Sequence, residues 1–475
     1  MTLVLDGMTL DARGASYPVR LLMEGGRIAS AMPGQAGADR LILPGFANAH
    51  DHARPLSPTS FGAANKPLES WLLRLAAMTR QEPYLAAAAP LARAARSGCT
   101  SIMVHYTRAQ GPMPLPDEAR EVARAAGDVG VQVAFAVAMR DMNPLVYGDP
   151  APMLAAMPTA ARAAIEAIYG QPLMSFKEQL SIADAVAEAT GNPRFSVQYG
   201  PNGMQWCSRA MLEAIAEASE NTGRRVHMHF LETKYQRAWA DRHCPQGAAR
   251  YLKEIGLLSE RLTLAHCVWA NEDDLALIAE SGAIIATNAS SNLHLKSGIA
   301  PIGKAIAMGC KVAIGLDGAA FDEDDDMVRE IRLGAFLHGG WGYDTHVSRE
   351  DYLFEAIRNG RLANGALNGT GLAAGDGADI VEIDLTALDT DTVMPIEPID
   401  YLFARANRTH VARVIADGRV IVERGRVLGV DLPAVEAEMR ARYRAQMPSR
   451  AEFLDAWPSF DAALSGWYRD RLGCC

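Results

Sequence analysis

Two histidines separated by a single residue are the first chemical signal in the sequence. His50 and His52 follow the apolar residues Leu41-Ile42-Leu43, whose composition predicts a buried strand. Because successive strand residues point to opposite faces, the two imidazoles point the same way and Asp51 points away. Neutral imidazoles on one face can bind a single metal ion, and histidine is readily neutral near pH 7. The pair alone is a weak signal, so a metal site requires further ligands elsewhere in the chain.

Three other apolar segments end in residues that bind metals or transfer protons. One segment carries His229 and leads to Glu232, another ends in His266, and a third ends in Asp317. Burying an unpaired charge costs several kcal/mol, so Asp317 needs a partner after the apolar run that precedes it. Three imidazoles and one carboxylate around one ion would supply that partner and leave a position for a catalytic water.

The middle of the chain alternates short apolar strands with Ala-rich amphipathic helices. The predicted strands are 41–50, 100–105, 131–138, 195–199, 225–230, 262–267, 283–287 and 312–316. This α/β alternation favours a closed (β/α)8 barrel over an open doubly wound sheet. In such barrels the chemistry lies at the C-terminal ends of the strands, where the four polar endings would meet.

The two ends of the chain have a different sequence pattern. Short alternating segments, typical of β-strands, occupy residues 1–40 and return in 370–430. We expect these ends to meet in a small β-sandwich domain beside a barrel of residues 41–369, because 475 residues exceed one usual core. Residues 431–475 predict a C-terminal helical tail, whose Arg and Glu content indicates a solvated face.

Composition and charge exclude several classes of protein. A net charge of -10 with no basic stripe argues against a nucleic-acid partner. No signal peptide and no run of about 18 apolar residues is visible, which predicts no membrane association. Seven scattered cysteines fit a reducing cytoplasm. We expect a small-molecule substrate and a homodimer, the commonest assembly for such enzymes.

The motifs together resemble those of the amidohydrolase superfamily. The resemblance rests on Pro44-Gly45-Phe46-x-Asn48-x-His50-x-His52, His229-x-x-Glu232, the strand-end His266 and Gly315-Leu316-Asp317. It is strongest to the mononuclear branch that contains guanine, adenosine-type and triazine deaminases and chlorohydrolases. It covers nearly the whole chain and implies a distorted (β/α)8 TIM barrel with a flanking β-sandwich.

The resemblance implies a metal site made of His50, His52, His229 and Asp317. Binuclear relatives use a carboxylated lysine on strand four, but residues 195–199 contain no lysine, so we expect one divalent metal. Zinc suits three nitrogens and an oxygen, and ferrous iron is the alternative.

The resemblance also implies the catalytic roles. His266 would orient the attacking water or take its proton, Glu232 would carry a proton to the substrate nitrogen, and Asp317 would act as both ligand and proton acceptor. Glu232 stands three residues after His229, so strict alternation would place it on the wrong face. We therefore expect the strand to end or bulge at Phe230-Leu231.

The residues expected to bind substrate carry more ordinary alternatives. Trp71 is a substrate platform or a loop anchor, His105 lines the pocket or is simply packed, and Asn292 binds substrate or shapes a loop. The position of His294, on the loop after strand seven, favours a contact with the substrate. Asn202 stands where deaminases of this branch typically carry a histidine, and it can hydrogen-bond but cannot titrate.

The predicted function is hydrolysis of a carbon–nitrogen bond in a small, neutral or cationic molecule. Deamination of an N-heterocycle is the first form of this hypothesis. Hydrolysis of an amide, urea or carbamate is the alternative, favoured by the departure at Asn202. An outside alternative is a non-catalytic scaffold that retains the barrel, although its metal ligands would then be expected to be incomplete.

Overall fold

A computed structural model describes residues 2–35, 37, 39–318, 321–366 and 369–472. The chain begins with four strands, β1 (Leu3–Leu10), β2 (Ser16–Glu24), β3 (Arg27–Pro33) and β4 (Arg40–Pro44). Strand β1 pairs antiparallel with β2 and parallel with β4, and β2 pairs antiparallel with β3. These strands form one half of the sheet that flanks the barrel.

Eight parallel strands build the barrel. They are β5 (Phe46–Asn48), β6 (Cys99–Tyr106), β7 (Gln132–Met139), β8 (Phe195–Pro201), β9 (Val226–Phe230), β10 (Leu262–His266), β11 (Ile284–Thr287) and β12 (Lys311–Ile314). Each strand pairs with the next along the chain. The Ala49 amide donates to the Ile314 carbonyl at 2.8 Å, which joins the last strand to the first. The predicted (β/α)8 barrel is confirmed.

Helices connect and cover the barrel strands. They are α1 (Leu68–Arg74), α2 (Pro83–Arg96), α3 (Leu115–Val129), α4 (Ala151–Ala155), α5 (Thr159–Tyr169), α6 (Phe176–Thr190), α7 (Arg209–Thr222), α8 (Lys234–His243), α9 (Ala248–Glu254), α10 (Glu272–Ser281), α11 (Ala289–His294) and α12 (Ile302–Ala307). Short 3-10 turns lie at Pro58–Phe61, Leu75–Ala77, Met204–Trp206 and Phe321–Glu323. Local sequence sets their limits: a Ser175 capping box starts α6, and Gly191 ends it in a left-handed conformation.

The chain then returns to the flanking sheet. The connecting elements are α13 (Met327–His338), a hairpin of β13 (Gly340–Trp341) and β14 (Asp344–Thr345), and α14 (Arg349–Ala363). They are followed by β15 (Ile380–Asp384), α15 (Leu385–Leu388), α16 (Pro398–Arg405), a 3-10 turn (Arg408–His410), β16 (Val411–Ala416), β17 (Arg419–Glu423) and β18 (Arg426–Val427). The sheet order is β18-β17-β16-β15-β4-β1-β2-β3. Both chain ends share one core that includes Leu21, Ile42 and Ile380, as predicted.

The segment predicted as one strand, 41–50, is two strands in two different sheets. Strand β4 pairs antiparallel with β15 in the flanking sheet, and β5 pairs with β6 in the barrel. Gly45 separates them, and a Cβ atom there would lie 2.5 Å from the Thr100 hydroxyl. The buried Arg361 side chain fixes this junction, because it donates to Gly45 O at 3.1 Å and pairs with Asp379 at 3.0 Å. A composition-based prediction could not separate two apolar strands joined by one glycine.

The C-terminal helices α17 (Leu432–Gln446), a 3-10 turn (Met447–Arg450) and α18 (Ala451–Leu472) cover the barrel. Helix α18 packs against α1, α4, α5 and α8 and buries Trp457, Phe460 and Tyr468. The expectation of a solvated face is therefore wrong, because the helix carries an aromatic stripe at spacings of three and four residues between its charges.

The domain limits 1–40 with 370–430, 41–369 and 431–475 stay a prediction. Within the described ranges, no helix has the length and apolar composition needed to cross a bilayer.

Candidate metal-binding active site

Four side chains meet at the C-terminal end of the barrel, as the strand-end rule predicts. His50 Nε2 and His52 Nε2 lie 3.3 Å and 3.2 Å from Asp317 Oδ1, and the His52 and His229 Nε2 atoms lie 3.2 Å apart. All four side chains are nearly or fully buried. Residues more than 260 positions apart in the chain therefore present ligand atoms to one point.

Hydrogen bonds on the far side of the rings decide which nitrogens are free. His52 Nδ1 donates to the His105 carbonyl at 2.9 Å, and His229 Nδ1 donates to the Asn202 carbonyl at 2.7 Å. Because a carbonyl only accepts, each Nδ1 carries the hydrogen and each Nε2 presents a lone pair. Two lone pairs that face each other at 3.2 Å repel unless a cation lies between them. The hydrogen bonds thus prepare these nitrogens for a metal.

The donor atoms also have suitable spacing. In a tetrahedral site with metal–ligand distances of about 2.0–2.1 Å, neighbouring ligand atoms lie roughly 3.3–3.4 Å apart. Three of the distances among these atoms, from Asp317 Oδ1 to His50 Nε2 and His52 Nε2 and between the Nε2 atoms of His52 and His229, are 3.2–3.3 Å. Three neutral nitrogens and one carboxylate oxygen fit a single divalent metal.

A further histidine supports the ligand set from below. His50 Nδ1 lies 2.7 Å from His227 Nε2, and both rings are fully buried. If His227 accepts the hydrogen of His50 Nδ1, then His50 Nε2 also presents a lone pair toward Asp317. His227 therefore lies behind His50, at the ring nitrogen that does not face Asp317.

Burial sets the charge states of these groups. It lowers the pKa of His50 to about 3 and lowers the pKa values of His52 and His229, which favours neutral, ligating imidazoles. Burial would raise the pKa of Asp317, but hydrogen bonds donated by His50 and His52 when no metal is bound outweigh it and hold that pKa well below its usual value. In a metal-loaded site the cation would take the place of those hydrogens. The site therefore presents one anionic and three neutral ligands at neutral pH.

Glu232 and His266 stand beside the ligand atoms. Glu232 Oε2 lies 3.7 Å from His266 Nε2, and Ser297 Oγ donates to Glu232 Oε1 at 3.4 Å. Burial first, then the charges of Asp317 and Glu69, raises the pKa of Glu232 well above its usual value. A carboxyl that is protonated near neutral pH can act as an acid.

Asn292 fixes the tautomer of His266. His266 Nδ1 donates to Asn292 Oδ1 at 2.9 Å, so Nε2 carries a lone pair, and this atom is buried with no partner among the described residues. Burial lowers the pKa of His266, which keeps the ring neutral. This nitrogen is available to accept a proton from a molecule bound in the cavity.

Left-handed backbone turns aim these side chains into the site. Strand β9 ends at Phe230, and Leu231 has φ 48°, which brings Glu232 onto the same side as His229. The predicted strand end at Phe230-Leu231 is confirmed. His266 and Asp317, with φ of 76° and 58°, leave their strands in the same way. Such conformations are uncommon outside glycine and concentrate at functional sites.

A cavity of about 630 Å³ opens above these residues. This volume lies in the range of small-molecule sites. Trp71, Asn202 and Trp206 line it. Substrate contact by Trp71 and Asn202 stays a prediction. Trp71 Nε1, Trp206 Nε1 and Asn202 Oδ1 are buried without hydrogen-bond partners in the described part of the chain, so they are free to bind a ligand.

Three residues predicted to touch substrate do not line this cavity. His105 is fully buried and its Nε2 bonds the Gly200 carbonyl at 2.9 Å, and Asn292 is used by His266. His294 ends α11, with its Nε2 atom buried and unpartnered among the described residues. Their positions do not support direct substrate contact. Strand and loop position alone could not distinguish a residue facing the cavity from one just behind it.

The acidic run 322–326 contains two buried carboxylates. Asp325 is buried and pairs with Arg93 at 2.7 Å. Asp326 is buried, caps α13 through the Arg329 amide, and accepts from the Arg408 amide at 3.0 Å. These carboxylates already have structural partners.

Sequence reasoning missed the basic residues of the cavity. Arg54 donates to the Asp317 carbonyl at 2.5 Å and stacks over Trp71 with its guanidinium carbon 4.8 Å from the ring centroid. Arg80, Arg108, Arg140 and Arg450 also line the cavity. They come from separate loops and from the C-terminal tail, so no local motif marks them.

Comparisons with known proteins agree with this geometry. The sequence profile of the amidohydrolase family matches residues 41–421. A 5′-deoxyadenosine deaminase from Methanothermobacter thermautotrophicus is 29% identical over 433 residues, covering 88% of this chain and 92% of the relative. A 5-methylthioadenosine/S-adenosylhomocysteine deaminase from Thermococcus sibiricus is 27% identical over 389 residues, covering 81% and 82%.

Solved structures show the same fold. An adenosine deaminase from Xanthomonas campestris with bound zinc has a TM-score of 0.75 at 22% identity, covering 94% of this chain and 98% of that one. An atrazine chlorohydrolase from Arthrobacter aurescens complexed with zinc has a TM-score of 0.76 at 19% identity, covering 93% and 99%. With the family match, the prediction of a hydrolase acting on carbon–nitrogen bonds other than peptide bonds is confirmed. The chain belongs to the amidohydrolase family.

Proposed function

We propose that this protein uses one divalent metal to deaminate a small N-heterocycle. The observation that supports this most directly is the convergence of four metal-ligand atoms with two proton-transfer groups, Glu232 and His266, at the floor of one cavity. Relatives named as deaminases of 5′-deoxyadenosine and 5-methylthioadenosine favour an aminopurine or a similar ring.

The metal we propose is zinc, held by His50, His52, His229 and Asp317. Zinc suits this ligand set, both structural neighbours described above are named with zinc, and ferrous iron is the alternative. When bound, a divalent metal lowers the pKa of a coordinated water to about 7 and so supplies the nucleophile.

His266 takes a proton from the attacking water. Its Nδ1 hydrogen is held by Asn292, so Nε2 is the basic atom, and its partner-free lone pair faces Glu232 across 3.7 Å. A neutral imidazole in this orientation orients the water and accepts its proton without rotating.

Glu232 and Asp317 divide the acid and base roles. The raised pKa of Glu232 keeps its carboxyl protonated, so it can donate to a ring nitrogen of the substrate. The lowered pKa of Asp317 keeps that carboxylate ionised, so it can accept the second proton of the attacking water and then pass it to the departing amine. Two neighbouring carboxyls whose pKa values are pushed apart are a recognised basis for such an assignment.

Trp71, Trp206 and Asn202 hold the ring. The two indoles offer flat apolar surface, and their unpartnered N–H groups can donate to a heteroatom. The Asn202 amide oxygen can accept from an exocyclic amine.

Hydrolysis of an amide, urea or carbamate is the second candidate. It is favoured by Asn202, which replaces a titratable histidine and leaves the cavity with an amide at that position. The proposed metal, His266 and Glu232 would serve both reactions without change.

Ammonia release from zinc-loaded protein distinguishes the candidates. A panel of adenosine, 5′-deoxyadenosine, 5-methylthioadenosine, guanine, pterins and aminotriazines is expected to release ammonia. The Glu232→Gln variant is expected to lose that release, whereas Glu213→Gln, a matched change on the exposed face of α7, is expected to keep it. No ammonia release from this panel, together with turnover of ureas or amides, would favour the second candidate.

A further inference from the structure

The outer wall of the active-site cavity carries an excess of positive charge. Arg80, Arg108, Arg140 and Arg450, here named the arginine wall, line the same cavity as the metal ligands. None of them forms an ion pair with a carboxylate in the described ranges, which include every aspartate and glutamate of the chain. Arg80 is exposed and the other three arginines are partly buried. A partly buried charge without a counter-charge carries a desolvation cost, so the positions of Arg108, Arg140 and Arg450 need an explanation.

Arg54, at the metal end, shows what compensation looks like in this cavity. Burial lowers the pKa of Arg54, and the charges of Asp317, Asp51, Asp325 and Glu232 act in the opposite direction. Its guanidinium therefore has carboxylates close to it. It is not part of the arginine wall.

Arg108 and Arg140 lack such compensation. Burial lowers the pKa of Arg108, and the charges of Arg450 and Arg80 lower it further, while only the phenols of Tyr443 and Tyr169 act in the other direction. Arg108 donates to the carbonyls of Leu75, at 2.7 Å, and of Met78, which leaves its charge unbalanced.

The guanidinium of Arg140 has fewer partners than that of Arg108. Burial lowers the pKa of Arg140, and the groups that act against this are Tyr169 and Cys207, which are uncharged at neutral pH. No hydrogen bond to its guanidinium is formed within the described residues. All its N–H groups are available to a ligand.

Three of these guanidinium groups lie near the phenol of Tyr169. Burial raises the pKa of the Tyr169 phenol, and Arg108, Arg140 and Arg450 all lie close enough to oppose that rise. Tyr169 itself lines the cavity and donates to the Leu73 carbonyl at 2.8 Å. Arginines from the ends of β6 and β7 and from the turn before α18 thus converge on one side of the cavity.

The cavity also has an apolar lining. It includes Leu68, Trp71, Leu72 and Leu295. A ligand that satisfies both kinds of lining has a flat apolar ring, which the proposed reaction requires at the metal, and a negatively charged group. Planar guanidinium groups bind carboxylate and phosphate oxygens in a bidentate manner.

We propose that the substrate is an anionic heterocycle, whose carboxylate or phosphate group is bound by the arginine wall while its ring lies at the metal. This replaces the expectation of a neutral or cationic substrate. It rests on the proposed function only for the reacting end of the molecule, because the charge of the wall does not depend on which bond is hydrolysed. The alternative of an internal counter-ion is excluded by the lack of a paired carboxylate in the described ranges.

Binding to zinc-loaded Glu232→Gln protein, which is expected to bind without rapid turnover, tests this proposal. Calorimetry would compare two matched pairs of probes: adenosine with adenosine 5′-monophosphate, and pterin with pterin-6-carboxylate. We expect the anionic member of at least one pair to bind about tenfold tighter or better, as charge-assisted hydrogen bonds predict. A preference in the first pair identifies phosphate, and one in the second identifies carboxylate.

Substitutions in the wall should remove this preference. In the same background, Arg140→Met is expected to reduce the anionic-to-neutral affinity ratio to near one, and Arg140→Lys is expected to give an intermediate ratio because it keeps the charge without the planar fork. Arg209→Met is the matched control, since Arg209 is exposed and pairs with Glu213 on α7. Arg450→Met, at a partly exposed position, gives the same test if Arg140→Met does not fold.

The contrary outcomes are distinct. Three results would overturn the proposal. They are equal affinity within both pairs, no binding by any of the four probes or by inorganic phosphate, and an affinity ratio that Arg140→Met and Arg450→Met leave unchanged. A ratio that depends on these arginines, in a wild-type protein that releases no ammonia from either pair, would support the arginine wall and contradict the proposed deamination.

Discussion

The floor of the cavity, made of the four proposed metal ligands with Glu232 and His266, and the arginine wall are built in opposite ways. On the floor, His52 and His229 each have a fixed hydrogen-bond partner, and Asp317 is held by Ser291 and by contacts with neighbouring rings. On the wall, Arg140 has an unbalanced charge and free donors. The difference teaches that the barrel fixes the chemistry in advance, whereas the loops and the tail leave charges for the substrate to satisfy.

Removing a floor carboxylate should have the largest effect. In Asp317→Ala the lone pairs of His50 and His52 lose the anion that completes the ligand set, so we expect metal loss and activity at background level. Metal analysis and ammonia release would check this. Asp241→Ala, at an exposed position on α8, is the control and should retain both. A metal-replete, active Asp317→Ala protein would break the distinction between floor and wall.

Glu232→Gln should separate chemistry from metal binding. The amide preserves the size of the side chain but cannot donate the acidic proton, so kcat should fall by roughly 10²–10⁴-fold. The metal content should match that of the wild type, because Glu232 is not among the four ligands. Unchanged kcat in this variant would remove Glu232 from the proton path.

The floor could be predicted from sequence because strand ends carry it. The rule that barrel chemistry lies at the C-terminal strand ends brought His50, His229, His266 and Asp317 together, and alternation required the turn found at Leu231. The side chains just behind the cavity could not be assigned, since His105 and Asn292 differ from cavity residues only in direction. Their directions depend on packing contacts with distant segments.

The wall and the tail could not be predicted for a different reason. Arg108 and Arg140 follow the neighbouring strands β6 and β7, whereas Arg450 comes from the turn before helix α18, whose aromatic residues are hidden among charges in the sequence. Gly45 likewise shows its role only beside Thr100. The predicted homodimer and the cytoplasmic location stay predictions.

Two buried histidines near the floor provide a finer comparison. His227→Ala removes the partner of His50 Nδ1, and we expect about 10–100-fold weaker metal affinity. His105→Ala also removes a fully buried imidazole, but His52 bonds only the backbone carbonyl at that position. Metal titration should therefore change for the first variant and not for the second. Equal losses would mean that cavity formation, not ligand orientation, governs affinity.

The wall should give the smallest effect. Arg450→Met removes one partly exposed charge, so we expect KM for an anionic substrate to rise by about 2–10-fold with little change in kcat. Steady-state kinetics at fixed ionic strength would measure it. A fall in kcat with unchanged KM would place Arg450 with the floor residues.

X-ray absorption at the metal edge of the purified protein tests the ligand set of the floor most directly. Coordination by His50, His52, His229 and Asp317 predicts only nitrogen and oxygen scatterers at about 2.0–2.1 Å, with the outer-shell signal of several imidazoles. A metal-free protein with full activity, or a sulfur scatterer near about 2.3 Å, would contradict it.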